Sequence, residues 1–233
     1  MANVSTHPTL TTNLISYWEL EETSGTRNDS HGSNHLTDNN TVTSGTGQVG
    51  TAAFFTSANS EYLSITDAAQ TGLDITTTGS WAYWIKFNTD TDAVVLAKYS
   101  TGQQGYWLQH QVGTSQRFTN SAEIAMDVTA TMNTGTWYFC VWTYNSGTAT
   151  FYLNGTSQGS ATNGTSLTNT TAPFELGRIN KYNSNYVDGL MDQVGVWSKV
   201  LSGTEITDLY NGGAGLSYSG GGSTFVPRVS FIM

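Results

Sequence analysis

The segment from Trp137 to Gln158, WYFCVWTYNSGTATFYLNGTSQ, constrains the fold of this chain more than any other. Asn145-Ser146-Gly147 and Asn154-Gly155 cut it into three pieces of similar length. Each piece is rich in aromatic and β-branched residues, which fit a pleated, half-buried surface. Asn-Gly supplies the two positive-φ positions of a type I′ turn, whose twist matches the strands on either side. The block is therefore expected to be a meander of three antiparallel strands, a unit of a large β-sandwich.

The rest of the chain follows the same pattern. Strands are expected at Leu14–Leu20, Ala52–Phe55, Tyr62–Ile65, Ser80–Phe87, Ala93–Tyr99, Gly105–Gln111, Glu123–Thr129, Pro173–Arg178 and Gly189–Trp197, with a loop-rich stretch over 21–50. Short strands with turn residues between them predict an all-β sandwich rather than βαβ units. One helix is expected. Ser202 and Glu205 form a capping box, in which the Ser hydroxyl takes the Glu backbone N–H and the Glu side chain reaches back. Ile206, Leu209 and Tyr210 share one face of it, and Gly212 is suited to the left-handed stop.

The chain ends are set apart. Residues 1–13 are polar and predict an arm, leaving 14–216 as the sandwich. From 217 a Gly/Ser linker leads to an apolar extended segment containing Phe225, Val226, Val229 and Phe231. Pro227 confines that segment to an edge position. Strand addition to a neighbouring subunit would bury it, so other subunits of a particle or homo-oligomer are the expected partners; the alternative is that the tail folds back over its own sandwich and covers an apolar patch.

Only 11% of the 233 residues are charged, yet the formal net charge is -9. An acidic chain repels phosphates, which argues against a nucleic-acid partner. No apolar run approaches the roughly 20 residues that span a membrane, and the first residues do not form a signal peptide. The single cysteine, Cys140, lies inside an apolar strand and is expected to be core rather than nucleophile.

Taken together, LISYWELEETSGTRNDSHGS, WAYWIKF, GTWYFCVWTYNSGTATFYLNGTSQG and DGLMDQVGVWSKVLSGTEITDLY resemble the laminin-G-like domains of the concanavalin A-like lectin/glucanase superfamily. The likeness runs from about Leu14 to Tyr210. It implies a two-sheet antiparallel jelly roll, and it leaves function open because one fold carries many functions. Domains of this kind often hold a structural calcium between the first loop and the last strand. The loop here is Asp29-Ser30-His31-Gly32-Ser33-Asn34, and the late aspartate is Asp192. The resemblance implies Asp29 and Asp192 as the pair that contributes to calcium's six to eight oxygen ligands, the alternative being that Asp29 caps a turn and Asp192 hydrogen-bonds the first loop with no metal. His31 and His35 are four apart in a loop, without the helical spacing of a zinc pair.

A glycan hydrolase on this fold needs several carboxylates on one strand face. Glu19, Glu21 and Glu22 come nearest but match an ordinary strand-to-loop segment, and Glu123 and Asp127 offer only one pair. The chain is therefore expected to be non-catalytic. Sugar binding needs aromatic faces with amides around them. Tyr182, Asn183, Asn185 and Tyr186 supply both in one loop, and Tyr106 with Trp107 forms a second candidate. Trp84, Trp137, Trp142 and Trp197 are expected in the core. The functional expectation is a structural or adhesion protein of an assembled particle such as a virion, found there or outside cells, with a lectin-like domain that binds cell-surface glycans. A free lectin is the alternative, and a hydrolase or lyase stands third.

Overall fold

The structure, a computed structural model, describes residues 3–219 except Thr165. The expected assembly strand, with Phe225, Val226, Val229 and Phe231, lies outside the described residues. The strands in chain order are β1 (Leu14–Trp18), β2 (Thr37–Asn39), β3 (Thr43–Thr46), β4 (Thr51–Phe55) and β5 (Tyr62–Ile65). Next come β6 (Thr78–Phe87), β7 (Ala93–Ser100), β8 (Gln103–Gln111), β9 (Ser115–Thr119) and β10 (Ala125–Thr129). The remainder are β11 (Tyr138–Asn145), β12 (Thr148–Leu153), β13 (Thr156–Thr162), β14 (Phe174–Leu176) and β15 (Gly189–Trp197), followed by helix α1 (Gly203–Tyr210).

These strands form two antiparallel sheets. One has eight strands in the order β13-β12-β11-β6-β15-β4-β3, with β1 added beside β15. The other has seven, in the order β10-β9-β8-β7-β14-β5-β2. The fold is the expected jelly-roll sandwich. The meander is present as β11, β12 and β13, and both its turns have two consecutive left-handed residues: Ser146 (φ 46°) with Gly147 (φ 96°), and Asn154 (φ 51°) with Gly155 (φ 80°). Glu123 is not in a strand; β10 starts at Ala125, and Glu123 sits in the preceding turn with φ 59°.

Alternation along the strands produces three apolar layers. The inward residues of both sheets, among them Trp18, Trp81, Phe118, Trp142 and Val196, fill the main core. Cys140 belongs to it, and burial pushes its thiol well above the ordinary range. A second layer lies on the outer face of the eight-stranded sheet, where Ala82, Trp84, Phe139, Val141 and Trp197 meet Ile206 and Leu209 of α1. Trp137 differs from the other three expected core tryptophans. It is only partly buried, with the Lys86 ammonium 5.1 Å from its ring centre.

The expected arm is part of this second layer. Val4 and Leu10 are fully buried there, and the Trp197 indole N–H donates to the Leu10 carbonyl at 2.6 Å. Val4 and Ser5 N–H groups donate to the carbonyls of Ser217 and Tyr218, both at 3.0 Å, which joins the N-terminal segment to residues 217–218. The threonines around Val4 and Leu10 gave the segment its polar look, but two apolar anchors suffice to dock it.

The third layer is small and lies on the outer face of the seven-stranded sheet. Val94, Ala97, Tyr99 and Trp107 point away from the core and are covered by Ile179 from the loop between β14 and β15. That cover positions the candidate site.

Candidate functional site

The loop from 178 to 187 folds back over its own sheet. The Val94 N–H donates to the Asn185 carbonyl at 2.8 Å, and the Val187 N–H donates to the Gly177 carbonyl at 2.8 Å. A tight turn is closed by the Asn183 N–H on the Asn180 carbonyl at 3.1 Å. Asn183 (φ 47°) and Asn185 (φ 55°) are both left-handed, a region asparagine tolerates better than most side chains. The asparagine-rich sequence therefore has a backbone cause. At the base of the loop, Arg178 donates to Glu175 Oε1 at 2.7 Å and to Asn183 Oδ1 at 2.7 Å, and lies 3.4 Å from the Tyr62 ring centre.

The four loop candidates thus divide. Asn183 Oδ1 is taken by Arg178 and by the Tyr186 hydroxyl at 2.7 Å, so both residues brace the loop. Asn185 Oδ1 accepts from the Ser184 hydroxyl at 2.7 Å. Tyr182 is different: it is 56% exposed, the one exposed Phe, Tyr or Trp among the described residues.

Beside Tyr182, four chain segments converge. The Lys181 ammonium donates to Glu123 Oε1 at 2.6 Å and stands 4.8 Å from the Tyr182 ring centre and 5.4 Å from that of Tyr99. The Gln104 amide donates to the same Glu123 oxygen at 3.0 Å. Thr101 donates to the Lys181 carbonyl at 3.4 Å. The hydrogen bond from Lys181 holds the Glu123 carboxyl below its usual range. Burial, then the neighbouring Glu123, pushes the Tyr99 phenol well up. Perturbed titratable groups around an exposed aromatic ring mark a candidate binding rim.

Trp107 joins this surface, whereas Tyr106 does not. Tyr106 is 1% exposed, its ring packs against Trp81 in the core, and its hydroxyl donates to the Leu73 carbonyl at 2.9 Å. Neighbours on a strand point to opposite faces, so the expected pair splits and Tyr106 is removed from the candidates. Trp107 is 8% exposed and meets Tyr99 edge-on at 4.6 Å. It is a floor under the loop rather than a platform. Farther along the same face, Gln109 on β8 lies opposite Arg117 on β9, which lies opposite Asp127 on β10. Arg117 grips Asp127 with two hydrogen bonds, at 2.7 and 2.8 Å.

The profile of the concanavalin A-like lectin/glucanase superfamily, in its laminin-G-like form, matches residues 57–207. The chain belongs to this superfamily. Solved structures with the same fold include domain 4 of AbnA, a GH43 extracellular arabinanase from Geobacillus stearothermophilus, in complex with arabinotriose. It has 20% identity, coverage of 84% of this chain and 97% of that one, and a TM-score of 0.65. The binding domain of Paraclostridial Mosquitocidal Protein 1 has 15% identity, coverage of 86% and 52%, and a TM-score of 0.69. The botulinum neurotoxin serotype D ligand binding domain in complex with N-acetylneuraminic acid has 15% identity, coverage of 87% and 51%, and a TM-score of 0.64. The chain spans about half the length of these two toxin domains. No curated protein sequence matches it.

The superfamily's calcium expectation can be tested on the two aspartates. Asp29 organises its own loop: Oδ1 accepts the N–H groups of Tyr17, His31 and Gly32 at 3.0, 3.0 and 2.9 Å, and Oδ2 accepts that of Asn34 at 3.0 Å. Three donors fill Oδ1, so Asp29 has only Oδ2 left to offer a calcium ion. Asp192 fits better. It is fully buried; Oδ2 accepts the Val49 N–H at 2.8 Å, and Oδ1 has no hydrogen-bond partner. Burial raises its carboxyl well above the usual range, the Val49 N–H opposes this, and the charge of Glu21 adds to it. The buried Oε1 of the next residue, Gln193, likewise has no partner. Among the described residues no three His, Cys, Asp or Glu side chains gather as a metal cluster. His31 and His35 separate, with His31 Nδ1 at 3.0 Å from the Tyr218 hydroxyl and His35 Nδ1 accepting the Asp29 N–H at 3.1 Å.

The carboxylates weighed for hydrolysis each have a fastening role. Glu19 accepts the Tyr218 N–H at 2.9 Å, Glu21 that of Thr51 at 2.8 Å, and Glu22 that of Asn28 at 2.8 Å. Glu123 and Asp127 hold different cations from different elements. No helix among the described residues is long and apolar enough to cross a membrane, which does not bear on β-barrels.

Proposed function

We propose that this chain is a non-catalytic glycan-binding module whose contact surface is the outer face of the seven-stranded sheet at the Tyr182 rim. The observation that carries this reading is the exposed Tyr182 ring, beside which the adjacent Lys181 meets Glu123 and Gln104 from two other parts of the chain. An aromatic face stacks on the C–H face of a sugar ring, and surrounding amides and carboxylates take its hydroxyls. The arabinotriose and N-acetylneuraminic acid held by two structures of this fold support a glycan as the ligand class. Asn185 and Trp107 shape the rim from below, and Asn183 and Tyr186 keep the loop folded.

The test is a glycan array followed by titration calorimetry on the hits. Tyr182→Ala should weaken binding at least tenfold while the melting temperature stays unchanged. Binding that survives this substitution would move the site elsewhere. The ion-paired Glu123 is unsuited to donate a proton, so incubation with the bound glycan should release no reducing sugar.

The finer reading is that the module belongs to an assembled particle, such as a virion, and joins it through the segment around Phe225, Val226, Val229 and Phe231. Mass spectrometry of purified particles tests it: the chain should be present at a fixed ratio to the other subunits. Calcium remains part of the proposal at Asp192, not between Asp192 and Asp29.

A further inference from the structure

Resting on the glycan-binding reading, we infer that Glu123 and Asp127 act as charge masks that make this face selective for uncharged glycans and exclude acidic ones.

The argument begins with the cations. Among the described residues, three basic side chains serve the outer face of the seven-stranded sheet: Arg117, Arg178 and Lys181. Each is held by a carboxylate, at 2.7 Å from Asp127, 2.7 Å from Glu175 and 2.6 Å from Glu123. Arg178 and Glu175 are 9% and 2% exposed, so that pair is closed to a ligand. In the two open pairs the acid is the more exposed member. Glu123 is 37% exposed against 17% for Lys181, and Asp127 is 44% exposed against 28% for Arg117.

A ligand approaching this face therefore meets carboxylate oxygen before it meets ammonium or guanidinium. A neutral sugar loses nothing by that, since its hydroxyls donate to the carboxylate. A sialic, uronic or sulfated sugar faces like charge, and would have to displace an existing partner to reach a cation. Repulsion built in beside attraction is how a site separates two ligands of similar shape. The chain's formal net charge of -9 acts in the same direction at longer range.

The two masks also have structural support for this position. Glu123 is a non-glycine residue at φ 59°. Its turn is kept by Asn120, whose Oδ1 accepts the N–H groups of Ala122 and Ile124, both at 3.0 Å. A left-handed glutamate at a turn tip costs some backbone energy, and such strain is retained where a side chain has a task. Asp127 is fixed by its strand register opposite Arg117.

The experiment removes the masks in the full chain. Titration calorimetry compares the natural protein with Glu123→Gln, Asp127→Asn and the double variant. The neutral probes are arabinotetraose, xylotetraose and cellotetraose, and the acidic ones are 3′-sialyllactose and sulfated lactose. The natural protein should bind a neutral probe and neither acidic one. The double variant, checked for an unchanged circular dichroism spectrum, should gain at least tenfold in affinity for an acidic probe at about 20 mM salt and lose that gain at about 500 mM, where screening shortens the reach of the freed cations. Natural protein that binds an acidic probe through Tyr182, or a folded double variant with no gain, overturns the mask while leaving the glycan-binding reading intact. Binding of no probe by the natural protein removes the reading and the mask together.

Discussion

Lys98, fully buried under the seven-stranded sheet, donates to Asp67 Oδ1 at 2.7 Å and ties two distant loops to β7. Its ammonium also donates to the carbonyls of Thr170 at 2.9 Å and Ala172 at 2.8 Å, with Asp74 Oδ1 at 3.1 Å. Every proton of the ammonium has an oxygen, which is what makes a buried lysine tolerable.

Removing that charge should be costly. Lys98→Met leaves two carboxylates and two carbonyls without their donor, and breaking a buried pair this way costs about 3–5 kcal/mol. Asp67 and Asp74 are 26% and 21% exposed and can regain water, so the loss should fall at the low end. Urea unfolding measures it. Asp67→Asn should cost less, because Asp74 remains. The hydrogen bond from Lys98 lowers the Asp67 carboxyl. Its contribution is thus present above the ordinary aspartate range and lost as pH falls through the lowered folded value. An acid titration of Lys98→Met should lack that part of the slope.

The capping box of α1 gives a second pH-dependent element. The Glu205 N–H donates to the Ser202 hydroxyl at 3.3 Å, and the Ser202 N–H donates to Glu205 Oε2 at 2.8 Å. Burial pushes the Glu205 carboxyl up, but hydrogen bonds from Lys199 and Ser202 outweigh it and bring the pKa to about 2. A lowered carboxyl stabilises the fold above its unfolded value, near 4.3 for glutamate, and that stability is lost as pH falls toward about 2. Ser202→Ala should cost about 1 kcal/mol at neutral pH, read as a lower melting temperature. Glu205→Gln should flatten the acid limb of the stability curve.

The meander and the capping box were legible because each is written locally. Their turn residues, alternation and cap spacing sit within a few positions of one another. Gly212 (φ 62°) is left-handed as expected, and Asn211 (φ 49°) before it already takes the left-handed C-cap position. The strand β9 leaves no local signature, because SQRFT has a single large apolar residue, Phe118, and is defined by its pairing with β8 and β10. The split between Tyr106 and Trp107 is legible in the sequence, because alternation forbids both from facing one way. The Lys181–Glu123 bridge could not have been read at all. It joins positions 58 residues apart that only the closed sheet brings together.

Asp192 gives the metal prediction. A buried carboxyl oxygen without a donor needs a cation or a proton. With calcium at Asp192, adding it should raise the melting temperature and chelation should lower it, since a ligand of the native state alone stabilises by mass action. Asp192→Asn should abolish the calcium response. An unchanged melting curve with calcium and chelator would mean that Asp192 holds a proton instead. The raised carboxyl then favours the fold below its unfolded pKa, and that stability is lost as pH rises toward the folded value.

Truncation distinguishes the two chain ends. Val4 and Leu10 together contribute about 3–6 kcal/mol by burial, at about 1.5–3 kcal/mol each. Leu10 also caps the Trp197 indole, and the Thr9 carbonyl takes the Lys199 ammonium at 2.8 Å. Deleting residues 2–13 should therefore unfold the domain or lower its melting temperature sharply in a thermal scan. At the other end Tyr218 and Ser219 still hold Glu19, so a harmless cut must fall after Ser219. A chain ending there keeps every contact described above and should melt with the full chain. It should also sediment as a smaller species than the full chain and fail to enter the particle, because the segment around Phe225, Val226, Val229 and Phe231 is gone. A truncated chain that assembles like the full one would remove the assembly role of that segment, while the contacts of the N-terminal segment, being internal to the domain, would stand unchanged.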